Sequence, residues 1–265
     1  MIIIGELINS TRKGIKKAIV EQDAVYIQDL AVRQVENGAD YVDVNAGAFV
    51  FDEAKHLIWL VETVQAVVNK PLALDSPDPE ALEAAMKVHQ GTPMINSISA
   101  EKERYNRVIP LVKESGASVV ALCMGDEGGM PDTAEERFEV AKRLLHDLDR
   151  DGIPLTSVFL DPLLKPVSVN GEYGPQALDV IGKIKALGSG AHITCGLSNI
   201  SFGLPRRALL NQAFLILAMG RGMDSAIADP LDKAKMRLIR AAEVVLNLDS
   251  NARGYLTAFR SGKLG

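Results

Sequence analysis

Short runs rich in β-forming residues alternate with longer helix-like stretches along almost the whole chain. Eight such runs are marked by their Val, Ile, Leu and aromatic content and by the turn-forming residues that bound them. They are Ile2–Ile8, Tyr41–Asn45, Leu72–Asp75, Met94–Ser97, Ser118–Met124, Ser157–Asp161, His192–Gly196 and Asp224–Ala228. The segment Val119–Cys123 is apolar without alternation, which is typical of a parallel strand buried on both faces. The pattern therefore predicts an α/β fold built on a parallel sheet.

Helix-start signals precede three of the intervening stretches. An Asp or Thr cap and a Pro in the first turn are the residue types that open helices. The signals and the helices they predict are Asp23 before Ala24–Asn37, Asp78-Pro79-Glu80 before Ala81–His89, and Asp132-Thr133 before Ala134–Asp149. On the first of these helices we expect the apolar side to contain Val25, Leu30, Val32 and Val35.

Eight strand–helix units in 265 residues fit a closed (β/α)8 TIM barrel better than an open sheet. No Pro-, Ser- or Gly-rich linker divides the sequence, so we predict one domain over residues 1–265, with a short helical tail from about residue 251. The longest predicted loop is Lys165–Gln176. Because it follows the sixth strand, it should lie on the face of the barrel that carries active sites.

Charge and hydropathy exclude several classes of protein. A net charge of -5 leaves no basic excess to bind a nucleic-acid backbone. No segment approaches the roughly 18 apolar residues of a membrane span, and no basic segment precedes the apolar Met1–Ile4, so we expect no signal peptide. The two cysteines, Cys123 and Cys195, are interpreted as core thiols, and the four histidines show no metal-ligand spacing. We expect a cytoplasmic protein that binds no metal.

Carboxylates and carboxamides recur at the carboxyl ends of the predicted strands, which in a barrel converge on one opening. These strand-end residues are Glu6, Asn9, Asp43, Asn45, Asp75, Asn96, Asp161 and the turn Gly196-Leu197-Ser198-Asn199. No Lys or Arg stands at the strand ends themselves, so a phosphate group would find few partners there. A carboxylate can accept two hydrogen bonds side by side. The opening is therefore suited to a flat, neutral heterocycle with an edge of N–H donors.

Each of these residues also has a purely structural explanation. Asp and Asn at strand ends often cap loops by bonding to their own backbone. Asp161-Pro162 can simply end a strand, and Gly196 can relieve crowding. Amide or carboxylate residues at corresponding ends of so many strands make loop capping a poor explanation for all of them.

Six motifs, in order along the chain, resemble the pterin-binding barrel family. They are Ile-Ile-Gly-Glu-Leu-Ile-Asn at 3–9, Asp-Val-Asn-Ala-Gly at 43–47, Leu-Ala-Leu-Asp-Ser at 72–76, Met-Ile-Asn-Ser at 94–97, Leu-Asp-Pro-Leu at 160–163 and Gly-Leu-Ser-Asn at 196–199. Within that family the motifs resemble the methyltetrahydrofolate:corrinoid protein methyltransferases. That group includes the enzyme acting on the corrinoid iron-sulfur protein, the methyltransferase II components of O-demethylase systems and the folate module of cobalamin-dependent methionine synthase. The resemblance extends from Ile2 to about Pro230.

The resemblance implies roles for individual residues. The positions that match the family's substrate-binding residues are Glu6, Asp75, Asn96, Asp161, Gly196, Ser198, Asn199, Arg207 and Ile227. Among them, Asp75, Asn96 and Asp161 would hold the pterin ring, Gly196 and Ser198 would lie against it, and Asn199 would reach the N5 atom that carries the methyl group. Leu7 departs from the family pattern, in which Arg commonly follows the Glu of the first motif.

The resemblance also implies the reaction, a transfer of the N5 methyl group between methyltetrahydrofolate and the cobalt of a separate corrinoid protein. No cobalamin-binding segment is present in this sequence, so the corrinoid is expected on a partner. The folate amine leaves poorly unless N5 gains positive character, and no His or Lys is placed to act as a general acid. We therefore expect catalysis by Asn199, whose amide can donate a hydrogen bond that strengthens as charge develops.

Three questions stay open at this level. A dihydropteroate synthase-like condensing enzyme shares the pterin barrel, but it needs a basic residue directly after the seventh-strand Ser, where this chain has Asn199. A non-catalytic pterin-binding barrel is the second alternative, and the presence of Asn199 speaks against it. We also expect a homodimer, for which Ala213–Met219 is a candidate surface, although burial of this segment in the barrel wall would explain it equally well.

Overall fold

Eight parallel strands curl into a barrel, as the alternating pattern predicts. The computed structural model describes residues 1–125 and 129–264. The strands are β1 (Ile2–Asn9), β2 (Tyr41–Asn45), β3 (Leu72–Asp75), β4 (Met94–Ala100), β5 (Ser118–Gly125), β6 (Val158–Asp161), β7 (His192–Ile193) and β8 (Ser225–Ala228). They pair in the order β7-β6-β5-β4-β3-β2-β1-β8, and a parallel bridge between Gly196 and Ile227 joins the two ends of the sheet. The predicted (β/α)8 barrel is confirmed.

Helices surround the sheet. In the described part of the chain they are α1 (Lys13–Glu21), α2 (Ala24–Glu36), α3 (Glu53–Gln65), α4 (Pro79–Val88), α5 (Lys102–Ser115), α6 (Ala134–Arg150), α7 (Tyr173–Ala186), α8 (Arg207–Gly220), α9 (Lys233–Val245) and α10 (Arg253–Arg260). The three predicted caps form: Asp23 accepts from the Tyr26 N–H, Asp78 accepts from the Glu80 N–H, and Thr133 forms a capping box. No helix among the described residues is long and apolar enough to cross a membrane.

Several element boundaries differ from the sequence prediction. β1, β4 and β5 run further than expected, while β6 and β8 begin one residue later, Ser157 lying in a 3-10 turn. α7 begins at Tyr173, inside the predicted loop, because Gly174 and Pro175 fall in a first turn that needs no backbone N–H donors. β7 ends at Ile193 instead of Gly196. The Gly196 N–H leaves the sheet ladder and donates to the Asp161 carboxylate at 3.3 Å.

The buried side of α2 matches the prediction in part, since Leu30, Val32 and Val35 are half-buried against the core. Val25 is 78% exposed, and the side chains that face the sheet are Ile27, Ala31 and Gln34. The register of β1 shifts between Gly5 and Ile8, and the Leu7 N–H is bonded by the Gln34 side chain at 3.1 Å. A polar residue therefore occupies the inner side of this helix because it satisfies a buried backbone donor.

The side chains inside the barrel separate into an apolar floor and a polar upper layer. The floor is a cluster of Ile4, Ala73, Met94, Val120 and Phe159. One pleat further along the strands, the inward positions are the polar strand-end residues. The polar layer therefore sits at the carboxyl ends of the strands, above a filled core.

Candidate functional site

Two hydrogen-bonded pairs connect β2 to the adjacent strand β3 and, across the inside of the barrel, to β4. Asn45 donates from Nδ2 to Asp75 Oδ2 at 2.9 Å, and Asn96 donates from Nδ2 to Asp43 Oδ1 at 3.1 Å. The other side of the Asn45 amide is fixed as well, because its Oδ1 accepts from Ser10 Oγ at 3.0 Å. These pairs orient the Asp75 carboxylate and leave the Asn96 amide oxygen as an acceptor in the mouth.

Asp161, at the end of β6, is held by two backbone donors. Its Oδ1 accepts from the Leu163 N–H at 2.7 Å, and its Oδ2 accepts from the Gly196 N–H at 3.3 Å. The side chain is buried, with 6% exposed. Each carboxylate oxygen retains a further lone pair that can accept from a ligand.

Glu6 lies across the mouth beside the turn that follows β7. Ser198 Oγ donates to Glu6 Oε1 at 2.9 Å, and the Arg12 guanidinium lies 3.7 Å from the same oxygen. Arg207, at the start of α8, donates from Nη2 to the Ser198 carbonyl at 2.5 Å and from Nε to Ser201 Oγ at 3.1 Å. Arg207 thus stabilises the backbone of this turn.

The Asn199 side chain projects from the same turn and is exposed. Within residues 1–125 and 129–264 its amide makes no hydrogen bond. A Cβ atom on Gly196 would lie 3.1 Å from Asn199 Nδ2, closer than nearly all such contacts. The glycine therefore makes room for the amide, and Ile227 lies beside Gly196 through a parallel bridge. In the described chain, the Asn199 side chain makes none of the hydrogen bonds that a loop-capping role would require.

Burial dominates the electrostatics of the mouth. Desolvation raises the pKa of Asp75 to about 6, against the hydrogen bond from Asn45, and it raises the pKa of Asp161 to about 6, against its two N–H donors. The pKa of Asp43 is raised well above its ordinary value by burial and by the neighbouring Asp75 charge. Burial likewise raises the pKa of Glu6. Burial therefore favours the neutral form of these carboxyl groups at a higher pH than is usual for Asp and Glu.

The structure brings the predicted site residues to one end of the barrel. The set comprises Glu6, Asp75, Asn96, Asp161, Gly196, Ser198, Asn199, Arg207 and Ile227. Leu7, where the family pattern has Arg, is buried, with 6% exposed. Cys123 and Cys195 are fully buried, and burial raises the pKa of both thiols. The described residues contain no group of three His, Cys, Asp or Glu side chains placed to hold a metal ion.

Residues from the helices also shape the mouth, and sequence reasoning gave them no role. The Arg104 guanidinium, from α5, donates to the carbonyls of Ser76, Pro77 and Ser97, the residues that follow Asp75 and Asn96. Arg137, from α6, donates to the carbonyls of Pro162 and Leu163, directly after Asp161. Asp43 and Asn45 were noticeable as polar strand-end residues, whereas a lone arginine in an amphipathic helix gives no such signal.

Known proteins share both the sequence and the fold. Residues 5–229 match the family described as pterin binding enzyme. The whole chain is 38% identical to the methylcorrinoid:tetrahydrofolate methyltransferase of Eubacterium limosum, of which 98% is covered. It is 31% identical, over 86% of its length, to the methionine synthase of Mycobacterium tuberculosis, and spans only 20% of that protein. The fold is similar to Xanthomonas albilineans dihydropteroate synthase with 4-aminobenzoic acid, with a TM-score of 0.70 and 21% identity over 94% of this chain and 93% of that one.

Proposed function

This chain belongs to the pterin binding enzyme family, and from that premise we propose its function. We propose that the protein is a methyltransferase that moves the N5 methyl group between methyltetrahydrofolate and the cobalt of a separate corrinoid protein. The observation that carries the proposal is the Asn199 amide, which has no hydrogen-bond partner in the described chain and stands at the rim of a mouth lined by acceptors. The full-length likeness to a methylcorrinoid:tetrahydrofolate methyltransferase supports this choice of the two methyl carriers.

The pterin ring is held by Asp75, Asn96 and Asp161 in this proposal. A pterin presents N–H donors along one edge, and the three side chains present carboxylate and amide oxygens that their own partners leave available. In a buried site, an N–H left without an acceptor costs about 1–3 kcal/mol. Binding and orientation of the ring therefore depend on these acceptors, while Ser198, Arg207 and Ile227 form the adjacent wall.

Catalysis is assigned to Asn199. When the methyl group leaves for cobalt(I), the carbon–nitrogen bond breaks, a carbon–cobalt bond forms, and the electron pair of the broken bond stays on N5. The folate amine leaves more easily if that pair is stabilised by a donor as it develops. Asn199 can supply such a donor, and one preorganised donor of this kind is typically worth about 10²–10³ in rate. In the reverse direction, the hydrogen bond from Asn199 weakens as the N5 electron pair attacks the methyl group and the carbon–cobalt bond breaks.

Protonated carboxyl groups can supply the proton that N5 finally gains. Burial raises the pKa of Asp161 and that of Asp75 to about 6 each, and burial together with the Asp75 charge raises the pKa of Asp43. Protons are therefore available in the mouth close to neutral pH. The carboxylate that is left then regains a proton from the solvent.

The remaining parts of the proposal concern organisation. We treat residues 1–265 as one pterin-binding domain that acts as a homodimer in the cytoplasm. Cobalt(I) is readily oxidised, so the reaction belongs to anaerobic methyl transfer. The corrinoid partner has to approach the loop face, where Val50, Phe51, Val169 and Phe202 are exposed apolar side chains. Apolar side chains grouped around an opening are typical of a protein-binding surface.

A single assay tests the proposal. The purified chain is mixed anaerobically with methyltetrahydrofolate and cob(I)alamin, and the loss of the cobalt(I) absorbance is followed. We expect turnover with the natural chain and a slow reaction with Asn199→Ala. Binding without turnover would indicate a non-catalytic pterin-binding barrel. In a separate assay with a pterin pyrophosphate and 4-aminobenzoate, formation of dihydropteroate would indicate the condensing enzyme instead.

A further inference from the structure

Arg137 is the largest completely buried side chain in the described part of the protein. All of its hydrogen-bond acceptors are uncharged. Nε donates to the Thr133 carbonyl at 3.2 Å, Nη1 to the carbonyls of Pro162 and Leu163 at 3.4 and 3.0 Å, and Nη2 to Gln176 Oε1 at 3.0 Å. No carboxylate of residues 1–125 or 129–264 forms an ion pair with it.

This placement is unfavourable for stability alone. The guanidinium is removed from water, and among the described residues only the more distant charges of Asp132 and Glu136 offset the burial that lowers its pKa. It also lies in the first turn of α6, where the helix dipole disfavours positive charge. An apolar side chain of similar volume would pack there without those costs. The arginine is therefore expected to serve the loop that it contacts.

That loop sets the position of Asp161. Leu163 has a φ of 62°, in the left-handed region that side chains with a Cβ rarely adopt. Its N–H donates to Asp161 Oδ1 at 2.7 Å, and its carbonyl accepts from Arg137 Nη1. The guanidinium thus holds the carbonyl side of the same residue whose N–H orients the carboxylate.

We infer that Arg137 is a positioning residue for folate binding, which fixes the Pro162–Leu163 turn and through it the orientation of the Asp161 carboxylate. The inference rests on the proposed function, because it takes Asp161 as an anchor of the pterin ring. Arg137 touches neither the ring nor N5, so its effect passes through the turn. The hydrogen bond from Nη2 to Gln176 on α7 holds the guanidinium itself in place.

The test compares methyltetrahydrofolate binding by calorimetry in the natural chain, Arg137→Met, Arg137→Gln and Arg137→Lys. Arg143→Met is the matched control, since Arg143 lies on the same helix and donates to a backbone carbonyl at the end of β4, that of Ala100, at 3.3 Å. We expect Arg137→Met and Arg137→Gln to raise Kd roughly tenfold, which corresponds to the loss of about one well-placed hydrogen bond. Arg137→Lys should recover part of the affinity, and Arg143→Met should stay within about twofold.

The pH dependence of binding separates positioning from a merely structural role. The Leu163 N–H lowers the pKa of Asp161. Loss of that bond should therefore move the acid limb of binding, the fall in folate affinity at low pH, to higher pH. Among residues 1–125 and 129–264, the ionisable groups facing Asp161 are Cys123 from β5 and Cys195 from the segment after β7, and burial keeps both thiols neutral in this range. Asp75 contributes to the limb equally in every variant.

The possible outcomes are distinct. Weak binding by the natural chain would contradict the proposed function. A folded Arg137→Met or Arg137→Gln protein with natural Kd and an unmoved acid limb would overturn the inference while leaving the proposed function intact. If Arg137→Met does not fold, Arg137→Gln, which keeps a donor for one carbonyl, decides the question in the same way.

Discussion

Asn199 and Gly196 act as a unit at the scale of single residues. The amide lies over an alpha carbon that has no side chain, and a Cβ at Gly196 would come within 3.1 Å of it. The hydrogen bond that the proposal assigns to Asn199 therefore depends on a neighbour with no polar group of its own. Many side chains orient the ring, but this amide alone is assigned to N5.

We expect Asn199→Ala to slow methyl transfer far more than it weakens the binding of tetrahydrofolate. The ring can be held by Asp75, Asn96 and Asp161, whereas the Asn199 bond gains strength only as charge develops at N5. Single-turnover stopped-flow kinetics should show a rate roughly 10²-fold lower, with Kd changed by less than about threefold. A natural methylation rate in this variant would refute the mechanism and leave the pterin site standing.

The buried carboxylates should make the free protein less stable as pH rises. The pKa of Asp161 is about 6 in the fold and ordinary in the unfolded chain, so the folded state binds more protons between about pH 4 and 6. Its contribution to stability is present below that window and is lost as pH rises through 6. The stability of Asp161→Asn, relative to the natural chain, should therefore increase by about 1–3 kcal/mol from pH 4 to pH 7.

Urea unfolding at several pH values measures this difference. Asn cannot accept from both the Leu163 and the Gly196 N–H, so the variant also carries a constant cost that does not depend on pH. Asp132→Asn serves as the control, because that carboxylate is exposed and its pKa is lowered by Lys165, which reverses the sign of the pH effect. A flat difference for Asp161→Asn would contradict the assignment of a raised pKa.

At the scale of elements, regular patterns predicted the fold and irregular points escaped prediction. Strand runs, caps and turn residues gave the order of the elements because each depends on local sequence. The pattern of α2 gave the half-buried Leu30, Val32 and Val35 but not Gln34, which is buried to bond a backbone N–H that a shift in β1 leaves unpaired. A contact between residues 27 positions apart leaves no periodic signal in either segment.

The site shows the same division. Asp75, Asn96 and Asp161 could be found because strand ends converge and the residue types are unusual there. Arg104 and Arg137 could not, because their importance lies in the loop carbonyls that they reach, and a backbone carbonyl has the same sequence signature everywhere. The early end of β7 also gave no sequence signal, because a residue such as Gly196 looks the same whether its N–H bonds to a neighbouring strand or, as here, to the Asp161 side chain.

The buried side of α2 can be checked directly. Ile27 is fully buried and Val25 is 78% exposed, so Ile27→Ala should lower the free energy of unfolding by about 2–5 kcal/mol and Val25→Ala by less than about 0.5 kcal/mol. Both variants are compared by urea denaturation, with one common slope for the dependence of the unfolding free energy on urea concentration. Equal losses would mean that the helix is rotated from the orientation described above.

For the whole molecule, we predict a dimer that uses α8. Phe214, Leu215 and Ala218 are buried in the barrel wall, whereas Leu209 and Leu217 are each 58% exposed on the outer side. Light scattering at micromolar concentration should give the mass of two chains, and Leu217→Glu should reduce it to that of one. A mass of one chain for the natural protein would remove the dimer from the proposal.

We also predict that the corrinoid protein docks over Phe51. This side chain is 99% exposed after β2, across the mouth from Val169 and Phe202. Replacing it by Ser should raise the KM for the corrinoid protein roughly tenfold, as expected for the loss of an aromatic anchor. The rate with free cobalamin should be unchanged, which distinguishes docking from chemistry. An exposed aliphatic residue away from the mouth, as in Val245→Ser, provides the control.

The apolar floor of the barrel determines the order of events in the proposed reaction. Phe159, Ile4 and Met94 fill the lower end, so both methyl carriers have to use the same upper opening. A folate must be seated before the protein partner covers it, and the spent folate can leave only after that partner has departed. Each cycle then includes the separation of two proteins, and the lifetime of their complex sets an upper limit on turnover however fast the methyl group moves.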